Sequence, residues 1–298
     1  MSGWRLHRIS ARDPPQRRTI AHALLLSGAT QRAKVAVVGF EENVVSVFAR
    51  AAASYGQVGP DLFGHFGTRI VELLALTKGS SVLDVACGTG AVLAAATKAI
   101  GPDGRAVGID LTEAMAVRAR VAVHQSVAVM NAHALGFANE TFDGIACNFA
   151  LTYFTDPQRA LAECCRVLRA QGRFGLAVHD GWWWHDDPRW AWHAQLLREF
   201  GNHRATAARR FSDPNAVLAV VEEAGFTNPT ATVEPFDLTW SDASQWWDWC
   251  WTHGYRAVLE QFETTALDQF RTVCLSHLPD GPIYGTLPVI CVVASRLA

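Results

Sequence analysis

The stretch Val82-Leu83-Asp84-Val85-Ala86-Cys87-Gly88-Thr89-Gly90 decides the fold. An apolar run ends in an acid, and a turn of small residues with two glycines then opens onto the helical stretch 91–100. Glycines in a loop at the carboxyl end of a strand let the backbone come close to a ligand. A second acid, Asp110, ends the next apolar segment within Gly108-Ile109-Asp110-Leu111. An acid at that place can accept hydrogen bonds from both hydroxyls of a ribose. A tight strand–helix turn would explain the glycines alone. Together with acids at two successive strand ends, they favour an adenosine ligand.

A dinucleotide fingerprint needs a further glycine at position 93, where this chain has Leu93. Asp84 would also repel a pyrophosphate, whereas it suits the ammonium of an amino acid. These two points select S-adenosylmethionine over NAD.

Outward from this loop, strands and helices alternate. Ser81–Val85, 106–109, 127–130, 143–148 and 173–178 read as strands, and 91–100, 112–122 and 157–168 as helices. Helical spacing also marks 43–54 and 61–76 before the loop. Such alternation indicates a parallel sheet covered on both faces. Beyond His179 we expect a helix over 213–224, a strand over 230–238, one long helix over 243–262 and a last strand over 287–295. Ten of the eleven tryptophans lie between Trp182 and Trp251, so residues 181–212 are expected to form a helical cover. The domain reading is a basic extension over 1–42 and one α/β domain over 43–298.

Half of the residues are hydrophobic, 18% are charged and the net charge is −2. A sizeable core follows, and nucleic acid is a poor partner because phosphate binding needs concentrated positive charge. The seven cysteines show no CxxC spacing, so no metal is expected, and reduced thiols fit a cytoplasmic setting. No run of 18 apolar residues is present, so no membrane span is expected. Residues 1–34 carry seven basic side chains against one acid, Asp13. An extra helix or an arm is expected there rather than a leader peptide.

Val82–Gly90 resembles motif I of the class I S-adenosylmethionine-dependent methyltransferases. Gly108-Ile109-Asp110 with Met115, Ala134–Phe137, Thr141-Phe142-Asp143 and Arg166-Val167-Leu168-Arg169 resemble its ubiquinone/menaquinone-methyltransferase-like branch. The resemblance runs in order through about residues 45–180. It implies a Rossmann-like seven-stranded fold in which Asp84, Ala86, Cys87, Gly88 and Gly90 hold the methionine end and Asp110 the ribose. Leu111 and Met115 would pack near the adenine, and Asn131, with Ala132 and His133, stands where the family contacts the adenine amino group, usually through Asp. Asn148 and Phe149 would lie beside the sulfonium. Tyr55 and the Gly59-Pro60 bend resemble the segment that folds over the cofactor.

Methyl transfer requires alignment of nucleophile, methyl and sulfur, exclusion of water, and sometimes removal of a proton. His179 and Asp180 end the fifth strand on the ligand side, which makes His179 the first candidate base and His253 the second. A histidine that merely caps a strand would look the same. Trp247, Trp251 and Tyr255 recur at i, i+4, i+8, which usually means core. So many tryptophans also suit a wall for a flat or isoprenoid-like acceptor, so Trp182, Trp247, Trp251 and Tyr153 are candidate acceptor contacts. The expected activity is methylation of a small, largely apolar acceptor at carbon, oxygen or nitrogen, with self-association open. The alternatives are another reaction on the same cofactor, such as cyclisation, or a non-catalytic binding protein.

Overall fold

The computed structural model describes residues 39–179, 187–201 and 209–297. Trp182, Asp180 and nearly all of the basic N-terminal segment lie outside these residues. Contacts divide the chain into Met1–Asn43 and Val44–Ala298. Residues 39–43 of the first unit are helical; the second unit holds the sheet, its helices and the candidate site.

Residues 44–51, labelled α1, are helical. Helix α2 (Leu62–Leu74) starts where the Asp61 carboxylate accepts the Gly64 N–H at 2.9 Å, which caps an otherwise orphaned donor. Five strands then lie parallel: β1 (Ser81–Val85), β2 (Arg105–Asp110), β3 (Ser126–Val129), β4 (Phe142–Asn148) and β5 (Leu168–Val178). Between them run α3 (Ala91–Ile100), α4 (Glu113–Val123) and α5 (Pro157–Val167). The last two strands, β6 (Thr227–Trp240) and β7 (Ile283–Ser295), pair antiparallel, with β7 set against β5. The seven-stranded order is β3-β2-β1-β4-β5-β7-β6.

Strand residues alternate between two cores. Leu83 and Val85 of β1 join Leu161 and Cys164 of α5 on one face, while Val82 joins Phe66 and Ile70 of α2 and Leu93 of α3 on the other. Leu93 fits because Gly108 leaves room: a methyl group there would lie 2.7 Å from its Cδ1. The sheet order reverses between β1 and β4, and ligands of such sheets bind beyond the strand ends at that reversal.

The chain after β5 departs from expectation at two places. Helix α6 (Ala191–Glu199) and the short turn Pro188–Trp190 form the described part of the expected cover, followed by α7 (Pro214–Glu223). The single helix expected over 243–262 is broken into α8 (Ala243–Cys250) and the one-turn α9 (Arg256–Leu259). The break has a local cause. Thr252 Oγ1 and His253 Nδ1 both reach the Trp249 carbonyl, at 2.8 and 2.9 Å, and occupy the acceptor that the next helical amide would use. A helix not anticipated, α10 (Thr264–His277), packs beyond. Among the described residues no helix is long and apolar enough to cross a membrane.

Candidate active site

The loop after β1 is tied to the end of β2. Cys87 donates its N–H to the Ile109 carbonyl at 2.8 Å, and Gly88 donates to Asp110 Oδ2 at 2.9 Å. Asp110 Oδ1 takes the Thr112 N–H at 2.8 Å. Each Asp110 oxygen therefore keeps a second lone pair for another donor. Gly88 and Gly90 have φ of 52° and 97°, and Ala86 holds a left-handed φ of 56° that glycine would adopt without a Cβ penalty.

Asp84 is buried, and neither carboxylate oxygen has a hydrogen-bond partner of normal geometry. Burial, helped by the nearby Asp110 charge, pushes its pKa well above the ordinary value, and the Leu93 amide offsets only part of this. Asp110 is raised too, by burial, with the Thr112 and Gly88 amides opposing. Two buried acids, one unpaired and one with spare acceptors, match a ligand that brings an ammonium and a pair of ribose hydroxyls.

A cavity of about 610 Å³ opens above this loop. Its wall includes Tyr55, Ala86, Gly88, Asp110, Leu111, Met115, Asn148, Phe149 and Tyr153. Asp84, Cys87 and Gly90 of the same loop are not among the residues that line it. Asn131, Ala132 and His133 also stand outside it. The Asn131 Oδ1 accepts the His133 N–H at 2.9 Å and lies 2.7 Å from His133 Nδ1, while His133 Nε2 takes the Asp156 N–H at 3.2 Å. The amide expected to meet an adenine thus clamps its own loop to the start of α5.

A second cavity, of about 570 Å³, adjoins the first, with Phe48, Tyr55, Phe149 and Tyr153 common to both. These rings pack on one another and on Phe63: Phe48 meets Tyr153 edge to face at 5.0 Å, Tyr55 stacks on Phe63 at 4.5 Å, and Phe63 meets Phe149 edge to face at 5.8 Å. Asn148 Nδ2 donates to the Phe63 carbonyl at 3.2 Å, fixing α2 to the end of β4. Tyr55 keeps its phenolic proton, since burial and the neighbouring Tyr153 and Asp110 raise its pKa well above normal.

His179 and His253 both line the second cavity. His179 Nδ1 lies 2.7 Å from the Pro288 carbonyl and His253 Nδ1 lies 2.9 Å from that of Trp249. A carbonyl can only accept, so each ring carries a proton on Nδ1 and turns Nε2 the other way. Burial lowers His253 to about 4, so this imidazole is neutral near pH 7.

Trp247 and Trp251, the candidate walls, do not line either cavity. Trp247 packs among Trp246, Trp251 and Phe270, and Trp251 lies under the Arg256 guanidinium. Their neighbour Trp249 faces the cavity instead, 4.2 Å from the His253 ring. Phe48, Phe63 and Leu287 also line it without a signal in the sequence, because nothing around them separates a cavity wall from core. Among the described residues no group of three or more His, Cys, Asp or Glu is placed to hold a metal ion.

Comparison with known proteins agrees with this geometry. A family described as a methyltransferase domain matches residues 83–176. The nocamycin O-methyltransferase of Saccharothrix syringae is 29% identical over 82% of this chain and 95% of its own. The ubiquinone/menaquinone C-methyltransferase of Enterobacter sp. (strain 638) is 29% identical over 66% of this chain and 86% of its own. The YcgJ protein of Bacillus subtilis shares the fold, with a TM-score of 0.52 at 21% identity over 78% of this chain and 99% of its own.

Proposed function

Since the chain is an S-adenosylmethionine-dependent methyltransferase of the class I fold and small-molecule type, we propose that it methylates a hydroxyl oxygen on a flat, largely apolar acceptor. The observation that carries this reading is the pair of histidines, His179 and His253, each with Nδ1 against a backbone carbonyl, in a cavity whose other described lining is mostly aromatic and aliphatic, with Thr152 and Gly254 among it. Among the described residues none that lines it is Asp, Glu, Lys or Arg, which disfavours a phosphate or a free ammonium on the acceptor. A hydroxyl needs a base, and an imidazole Nε2 supplies one.

The first cavity receives the cofactor, with Asp110 toward the ribose, Leu111 and Met115 toward the adenine, and Asp84 toward the ammonium. The cofactor supplies an electrophilic methyl group. The chain's part is to hold the acceptor oxygen at the aromatic partition and keep water out. With the methyl group supplied by a bound cofactor, which would keep the sulfur and its electron pair, His179 Nε2 would take the proton of the acceptor hydroxyl. A methyl ether leaves, and the proton on His179 returns to solvent. His253, at about 4, is too weakly basic to keep a proton at neutral pH; its neutral ring faces the acceptor as part of the cavity wall and leaves the hydroxyl proton to His179. The O-methyltransferase similarity over most of both chains supports oxygen as the acceptor atom.

The test uses methyl-labelled cofactor with naphthols and hydroxyanthraquinones, beside the same rings lacking the hydroxyl or already methylated. Label in methyl ethers of the hydroxylated rings alone is expected. Label on ring carbon, or equal transfer to the deoxy rings, overturns oxygen as the acceptor; no label on any ring overturns the acceptor class.

A further inference from the structure

A deeply buried polar pair lies away from both cavities. His193, on α6, is fully buried, and its Nε2 stands 2.7 Å from the Tyr255 hydroxyl, itself fully buried. Cys274 Sγ of α10 lies 3.9 Å from His193 Nδ1. Trp246 and Phe270 surround the imidazole at 5.6 and 5.7 Å between ring centres. A leucine facing a phenylalanine would fill this place without desolvating two polar groups. What the polar pair adds is direction, because the phenol must meet one nitrogen at one distance.

Tyr255 is two residues beyond His253 and one beyond Gly254, and the helix is broken at this point. The 251–255 turn therefore has no continuous helical ladder to fix it. It is held at one end by the Trp249 carbonyl, which takes both Thr252 and His253, and at the other by the buried Tyr255 ring. We propose that Tyr255, anchored by His193, is a positioning residue that sets where His253 stands in the acceptor cavity, and that α6 is thereby mechanically joined to the site. The proposal rests on the reading that His253 faces the acceptor, but its test does not.

Tyr255→Phe removes only the hydroxyl. Histidine labelled at Cε1 with carbon-13 reports the titration of His253 by NMR, assigned by its loss in His253→Gln. In the wild type, burial holds His253 at about 4; among the described residues the titratable side chains that share its cavity are His179, Tyr55 and Tyr153. Positioning predicts that Tyr255→Phe frees the turn, hydrates the imidazole and raises its midpoint by about one pH unit or more. The double variant Tyr255→Phe/His193→Leu separates this from packing. It removes the unsatisfied nitrogen, so Tm should return toward wild type while the His253 midpoint stays raised. His193→Gln, which keeps an acceptor for the phenol, should leave both close to wild type. Binding of S-adenosylhomocysteine, measured by calorimetry, should stay within about twofold in all variants. An unmoved His253 midpoint in Tyr255→Phe, or its return in the double variant together with Tm, overturns the proposal. If the midpoint moves as stated while no hydroxylated ring is methylated, the acceptor reading fails and the positioning role stands.

Discussion

Gly254 and the Tyr153 hydroxyl are packed so closely that a methyl group on Gly254 would lie 2.2 Å from Tyr153 Oη and 3.2 Å from its Cζ. Tyr153 belongs to the walls of both cavities, so the absence of a side chain at 254 fixes one edge of the passage between them. Gly254→Ala must push the phenol into that passage or push the turn away from it. Either displacement should lower methyl-transfer turnover at least about tenfold, with a stability loss of about 1–3 kcal/mol. Adding Tyr153→Phe removes the nearer contact and should recover part of the loss. Single-turnover rates and melting curves on the three proteins check this. Full turnover in Gly254→Ala would mean that the aperture does not limit the reaction.

Asp110 couples the two strand ends by accepting the Gly88 and Thr112 amides. Asp110→Ala should weaken S-adenosylmethionine by about 1.5–3 kcal/mol, roughly tenfold to a hundredfold in Kd, and also lower Tm, because two amides lose their acceptor. NADH should bind to neither protein, since Leu93 fills the place where a dinucleotide site needs glycine. Calorimetry with both ligands decides. A Kd unchanged by the substitution would place the ribose elsewhere.

The parallel half of the sheet is legible in the sequence because each strand is a short apolar run closed by turn residues, and a buried parallel strand needs nothing else. The β6–β7 pair extends beyond its sequence pattern at both ends. Pro229 stands at the expected start of β6 and Pro288 at that of β7, and proline removes a ladder donor, so each pattern looks interrupted where pairing continues. At the site, the residues of the β1 loop and the β2 end are readable from spacing alone. The second cavity is not, because its wall depends on how the chain turns at 251–255. A continuous helix over 243–262 would put Trp247, Trp251 and Tyr255 in one stripe. The side chains of Thr252 and His253 end α8, and Trp249 turns to the cavity. Trp247→Ala should therefore cost about 3–5 kcal/mol of stability, as a core truncation does, and leave the KM for a hydroxylated ring within about twofold. Trp249→Ala should raise that KM more than it lowers Tm.

The buried histidines make stability depend on pH in a defined direction. Burial lowers His193 to about 3 and His253 to about 4, against about 6.5 in an unfolded chain. Both are neutral when folded, so the unfolded state binds more protons as pH falls below about 6.5. Their contribution is complete above that value and is lost as pH drops toward 4, by about 1.4 kcal/mol per pH unit for each histidine. Asp84 and Asp110, raised rather than lowered, act with the opposite sign, so the difference between wild type and His193→Gln is the cleaner measure. Denaturant titrations from pH 8 to 4 should show this difference flat above pH 7 and moving against the wild type below about 6.5. A constant difference throughout would mean that His193 titrates normally.

Asp84 supplies the last prediction. Its carboxyl is buried, lacks a hydrogen-bond partner of normal geometry and stands near a second acid. Its pKa is well above the ordinary carboxylate range when the site holds no cation, so below that raised value it keeps its proton. An incoming ammonium reverses the balance, because an opposite charge within a few ångströms favours the carboxylate. Cofactor binding should then release a proton at pH values below the raised value and above the lowered one that the ammonium imposes, and affinity should increase as pH rises toward the raised value. The sign is fixed by linkage: the bound state holds fewer protons than the free one. Calorimetry in two buffers of different ionisation enthalpy reads the proton directly. S-adenosylmethionine and S-adenosylhomocysteine, which share the ammonium, should release similar amounts, and adenosine, which lacks it, none. Asp84→Asn should abolish the release while leaving adenosine affinity within about twofold. Equal release with adenosine would assign the proton to Asp110, which faces the ribose. No release with any ligand would mean that the ammonium never reaches Asp84 and that this acid serves the loop alone.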